Sequence, residues 1–149
     1  MTPHQGGTTQ THDRLSAAAP ATLSVLRIIT GLLFLAHGTQ KFLHFPAGDM
    51  AGSGWALDNL GAVAGIIELV TGALIALGLF TRSAAFLASG TMAVAYWYAH
   101  APRNFFPVNN MGDAAILYCF VFLYLVFAGP GPWSLDTLWR RGSPEPVAS

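Results

Sequence analysis

Four apolar runs, separated by polar, glycine-rich or proline-rich stretches, organise the chain at residues 22–42, 60–80, 83–100 and 113–128. An α-helix needs about twenty residues to cross a hydrocarbon core of ~30 Å. The first two runs meet that length. The last two are shorter, and flanking aromatics (Trp97, Tyr98, Phe105, Phe106 and Trp133) extend them into the interfaces as an aromatic belt. Thr81-Arg82-Ser83 reads as a tight turn, which makes the second and third runs antiparallel neighbours. Pro46, Gly48, Gly52 and Gly54 break the chain after the first run, and Pro102, Pro107 and Asn109-Asn110 break it before the fourth. Gly129-Pro130-Gly131-Pro132 stops the fourth run, and Trp133 to Arg141 forms a short amphipathic interfacial segment.

Composition turns these runs into a fold class. Of 149 residues, 53% are hydrophobic and 9% charged, against about 25% charged in a soluble domain. So little charge cannot cover a water-facing surface, and the expected fold is all-α: an integral membrane four-helix bundle whose first partner is the lipid bilayer. A net charge of zero excludes electrostatic nucleic-acid binding. Cys119 is the sole cysteine, which excludes an internal disulfide, a CxxC pair and a cysteine zinc cluster.

Residues 1–21 form a polar tail, expected to be disordered and to lack the pattern of a secretory signal. Residues 22–139 form the membrane domain, and 140–149 a C-terminal tail. Arg14, Arg82, Arg140 and Arg141 fall on one side of the spans, Lys41 and Arg103 on the other. The positive-inside rule then places both termini of a multi-pass membrane protein in the cytoplasm.

Ionisable side chains inside spans are costly against lipid, and they face the bundle interior. Arg27, His37 and Lys41 lie on the first helix, Glu68 on the second, His100 at the end of the third, and Asp113 at the start of the fourth. Arg27, Gly31, Phe34, Gly38 and Lys41 recur at helical spacing as one stripe. Gly61, Gly65, Glu68 and Gly72 form a second, with Gly61-xxx-Gly65 a GxxxG pattern that permits close helix approach. Glu68 therefore points at a neighbouring helix. Arg27 either reaches toward Glu68 or snorkels to the cytoplasmic headgroups. Lys41, His100, Asn109, Asn110 and Asp113 cluster toward the outer end. Two readings follow: a small-molecule site in the outer half, or a structural network in which Glu68 pairs with Arg27 or Lys41 to fix helix register. No metal site is expected, because no two ligands share a tight local motif.

The ordered set of pieces resembles the DoxX family of bacterial inner-membrane proteins over roughly residues 23–139. It comprises Arg27 with Gly31 and His37-Gly38-x-x-Lys41; Glu68, Thr71-Gly72 and Leu77-Gly78-Leu79-Phe80-Thr81-Arg82; and His100-Ala101-Pro102, Phe105-Phe106-Pro107 and Asn109 to Asp113. Gly129-Pro130-Gly131 and Ser134-Leu135-Asp136 close it. The family's usual glutamate before the fourth helix is here Asp113, a carboxylate on a shorter arm. The resemblance implies association with quinone-linked oxidoreductases, including thiosulfate oxidation, and with membrane complexes that defend against oxidative or thiol stress.

The expectation is therefore a redox subunit or accessory protein that binds a quinone, with partner subunits carrying the electrons and any catalysis shared with them. His37 and Lys41 would donate to the head group, Glu68 and Asp113 would relay protons, and the glycine stripe would make room for the ring. Arg27, His100 and Asn109 complete the set of ligand-binding or proton-relay candidates. The alternative is a non-enzymatic scaffold or small-molecule permease. The GxxxG faces suit packing within one bundle or in a homo-oligomer equally well.

Overall fold

The computed structural model describes residues 7–49, 51–55 and 60–142, and among these it is helical without strands. Residues 1–6 of the polar tail, 56–59 of the first loop and 143–149 of the C-terminal tail lie outside the described residues. Helix α1 runs from Gly7 to Leu43, α2 from Leu60 to Leu77 and α3 from Thr81 to Ala95. A one-turn α4, Pro107–Asn110, precedes α5, Asp113–Ala128, and α6, Leu135–Gly142, ends the described chain.

Three boundaries differ from those read from hydropathy. Helix α1 begins at Gly7 and continues through Pro20, so the segment read as a disordered tail is helical from Gly7 onward. Its 37 residues span about 55 Å, far more than a hydrocarbon core of ~30 Å requires. Helix α2 ends three residues early. Gly78 adopts φ 69°, its N–H bonds Ile75 O at 3.1 Å and the Leu79 N–H bonds Leu74 O at 2.9 Å, a Schellman stop. The turn is thus Gly78-Leu79-Phe80, and Thr81 and Arg82 already belong to α3. Third, the last turn of the third run, Tyr96–His100, widens into a π-helical turn, with the Ala101 N–H reaching back five residues to Tyr96 O at 2.9 Å.

Helix α1 packs chiefly on α2, α3 on α5, and α2 more lightly on α3. The α1–α2 seam depends on glycine. A Cβ on Gly31 would meet Ala76 N at 2.6 Å, one on Gly72 would meet Leu35 N at 2.6 Å, and one on Gly38 would meet Leu69 N at 2.7 Å. These are backbone atoms, so the glycine stripe is occupied by the neighbouring helix. It does not provide the room for a ligand ring that the sequence suggested. The α3–α5 seam uses small residues instead: Ala84, Ala85 and Ala88 are buried, and Ser89 Oγ donates to Cys119 O at 2.9 Å. Phe34, Ile75, Phe122 and Leu125 fill the centre.

Among the described residues two helices are long and apolar enough to cross a membrane, Arg14–Leu43 and Leu60–Leu77, and Asp113–Ala128 is a shorter apolar helix. Large apolar side chains point outward, among them Leu33, Val70, Leu117 and Phe120. Outward-facing apolar side chains along the helices suit contact with lipid.

At one end of the helices, polar groups serve backbone ends. Arg27 is fully buried. Its Nη1 donates to Ile75 O at 2.6 Å and Ala76 O at 2.7 Å, its Nε to Pro130 O at 2.7 Å, and its Nη2 to Trp133 O. At the end of α2, Arg27 gives Ala76 O a donor and adds a second to Ile75 O, which the Gly78 N–H already reaches, while fastening the Gly129–Ser134 turn. Arg82 does the same for α5 through Val126 O and Phe127 O. Asp136 accepts from the Phe80 N–H at 2.8 Å and the Thr81 N–H at 2.9 Å, capping α3 from a distant element.

Candidate functional site

The opposite end holds a cavity of about 870 Å³ between α1, α2 and α3, roofed by the Tyr96–His100 turn and Arg103, with α5 behind it. Its walls are mostly apolar. The polar side chains that line it are His37 and Lys41 from α1, Glu68 from α2, Thr91 from α3, Tyr98 and His100 from the π-helical turn, Arg103, and Tyr118 from α5.

Lys41 and Glu68 form its charged wall. Lys41 Nζ stands 2.8 Å from both carboxylate oxygens, and the two side chains are 12% and 6% exposed. Gly65 makes the pairing feasible: a Cβ there would meet Lys41 Cδ at 2.9 Å and the Phe42 ring at 2.8 Å. The lysine stem runs through the space that a side chain would take. Taking both charges out of water is costly, and their close pairing offsets part of that cost.

His37 lies one turn before Lys41, open to the cavity, with its ring edge-on to Tyr118 at 6.1 Å. Tyr118 stacks on Phe122 at 5.6 Å and lies against Phe34 at 5.6 Å, an aromatic column behind the charged wall. At the roof, His100 Nδ1 is 3.0 Å from Asn110 O. A carbonyl has no proton to give, so Nδ1 is the donor, and in the neutral ring Nε2 remains an acceptor. Asn110 is buried and holds this loop, its Nδ2 donating to Asn104 O at 2.9 Å and its Oδ1 accepting from the Gly112 N–H at 2.8 Å.

Of the residues singled out in the sequence, His37, Lys41, Glu68 and His100 share this cavity. Arg27, Asn109 and Asp113 do not line it. Arg27 neither reaches Glu68 nor snorkels; backbone carbonyls take its donors. Asn109 is exposed beside the structural Asn110, and Asp113 is exposed in the first turn of α5. Tyr118 and Arg103 were missed as site residues. Tyr118 sits among helix aromatics that show no sidedness in sequence, and Arg103 lies in a loop whose path only the fold reveals.

An amphipathic cavity set among outward-facing apolar helices defines a helical membrane protein. A family model described as DoxX matches residues 22–101, and the chain belongs to the DoxX family. It is 45% identical over 127 residues to an uncharacterized protein of Haemophilus influenzae, covering 83% of this chain and 95% of that one. It is 33% identical over 140 residues to the uncharacterized membrane protein Rv3486 of Mycobacterium tuberculosis, covering 82% and 83%. No solved structure matches.

Proposed function

We propose that this protein binds a quinone, or a carrier of the same amphipathic build, as an accessory or redox subunit of an inner-membrane oxidoreductase complex. In this reading α1, α2, α3 with its π-helical turn, and α5 are four spans of a bundle. Arg27, Arg82, Arg140 and Arg141 gather at the cytoplasmic end, and Lys41 and Arg103 at the outer end. The positive-inside bias and the sharing of one helix end by Arg27, Arg82 and Asp136 support that orientation.

The observation that carries the proposal is the composition of the cavity: the Lys41–Glu68 ion pair and a few further polar groups, His37, His100, Arg103 and Tyr118 among them, on a mostly apolar wall. Sites for small lipophilic ligands have this build, with few polar groups fixing the orientation of a mostly apolar molecule. Quinone carbonyls accept hydrogen bonds, which Lys41 and His37 supply. The phenolic hydroxyls of the reduced form donate, which Glu68 and His100 Nε2 accept. Protons moving on and off the ring then have Glu68 and the histidines as neighbours. Electrons come from a partner subunit or a bound cofactor.

The test is purification in mild detergent, solvent extraction and mass spectrometry for bound quinone, with Glu68→Gln and His37→Ala variants alongside. Quinone near one per chain in the wild type, lost in folded variants, is the expected result. Levels no higher than in bulk lipid for all three would overturn the proposal.

A further inference from the structure

Gly90, midway along α3, differs from the glycines of the α1–α2 seam. At Gly31, Gly38 and Gly72 an added Cβ would strike backbone, whereas at Gly90 it would meet nothing within 4 Å. No packing in the structure requires a glycine there, and an interior glycine weakens a helix relative to alanine. Yet Gly90 lines the cavity. Around it, Val63 and Ile67 of α2 and Leu87, Thr91 and Val94 of α3 form the cavity wall, and Val63, Leu87, Gly90 and Val94 are exposed. The two helices are joined by the Gly78 turn, and the lining of this gap runs from the charged wall at Lys41 and Glu68 to these exposed residues.

We infer that the gap at Gly90 is a lateral portal, through which the ligand enters from the bilayer and along which its hydrocarbon tail lies when the head group is at Lys41 and Glu68. The substrate class is thus a polar ring bearing a long apolar chain. This rests on the proposed function, since it takes the head group to be held at the charged wall. The missing side chain of Gly90 keeps the floor of the portal flat. A water-borne ligand without a tail has no use for it.

The experiment uses the full chain in lipid nanodiscs and two probes: a dimethoxy-methyl-benzoquinone without a side chain, and the same ring bearing a decyl chain. Gly90→Leu narrows the portal from α3, and Val63→Trp narrows it from α2, so the result does not hang on one variant folding. The expected result is a loss of about ten-fold in affinity for the decyl probe, the scale of displacing a few buried methylenes, with the ring-only probe within about two-fold of wild type. Equal loss of both probes, or loss of neither, overturns the portal while leaving the head-group site standing. Failure of both probes to bind the wild type overturns that site, and the portal with it. A change in oligomeric state in either variant with unchanged decyl binding would show the gap to be a protein contact, which also overturns it.

Discussion

Lys41 on α1 holds both carboxylate oxygens of Glu68 on α2 at 2.8 Å, and this pair joins the two helices at the wall of the cavity. A pair so placed has two roles that separate by substitution. Removing one partner leaves the other charge buried and alone, a loss of about 3–5 kcal/mol in comparable pairs. Replacing both with apolar groups removes the uncompensated charge. Glu68→Gln is therefore expected to lower the melting temperature sharply, and the double variant Lys41→Met with Glu68→Leu to recover most of it. Quinone should be absent from both. Thermal melts with quinone analysis on the same samples check this; ligand retained by the stable double variant would make the pair purely structural.

Arg27 gives the contrasting case. It is buried at the other end of α1 and spends its donors on carbonyls of α2 and of the turn after α5. Arg27→Met takes their side-chain donor from Ala76 O, Pro130 O and Trp133 O, while Ile75 O keeps the Gly78 N–H, at about 1–3 kcal/mol for each that finds no replacement. Stability should fall, while the ligand content of the protein that remains folded stays at the wild-type level. Arg27→Lys should recover only part of the stability, because one ammonium cannot reproduce the planar fork. Melting curves and quinone content per folded chain are the two readouts.

Asp136 makes the α3 cap sensitive to acid. Burial pushes its carboxyl up, but hydrogen bonds from Thr81 and from the Phe80 N–H, with the charge of Arg140 nearby, outweigh that and hold it below the usual range. The depressed folded value means that the stabilisation is fully present above the unfolded pKa of about 3.9 and is lost as pH falls through the folded value. Wild-type stability should therefore decline on its acid limb below about pH 4. Asp136→Asn should cost about 1 kcal/mol at neutral pH and flatten that limb. Melting temperature against pH for the two proteins tests it, and parallel acid limbs would rule the cap out as their source.

Much of this was legible in sequence, for physical reasons that differ by residue. The spacing of Gly65, Glu68 and Gly72 required a close helix on that face, and Lys41 was one of two partners named for Glu68. The ends of α5 followed from Asp113 and Gly129. Arg27 was misread because its partners are backbone carbonyls, which carry no letter in the sequence. Asn109 and Asn110 differ only in which of them the short α4 turns inward. The cavity is equally silent in one dimension: its walls are mostly ordinary apolar residues that only the fold brings together from separate helices. The α1 boundary was misplaced because polarity was taken for disorder, whereas Thr, Gln and Ala do not prevent a helix that an apolar continuation nucleates.

The glycines themselves give the last prediction, since one substitution should have opposite signs at two places. At Gly72 the Cβ of alanine would lie 2.6 Å from Leu35 N and 2.8 Å from Leu35 Cα, and backbone on a packed helix cannot yield cheaply. Overpacking of this kind costs about 1–3 kcal/mol, so Gly72→Ala should destabilise the α1–α2 pair despite its better helix propensity. At Gly90 nothing opposes the methyl group, and Gly90→Ala should stabilise by about 0.5–1 kcal/mol through propensity alone. Denaturation in mixed micelles at matched detergent measures both on one scale. Destabilisation by Gly90→Ala would mean that another surface packs against α3 at that point, whereas stabilisation would show that the fold itself has no need of the glycine.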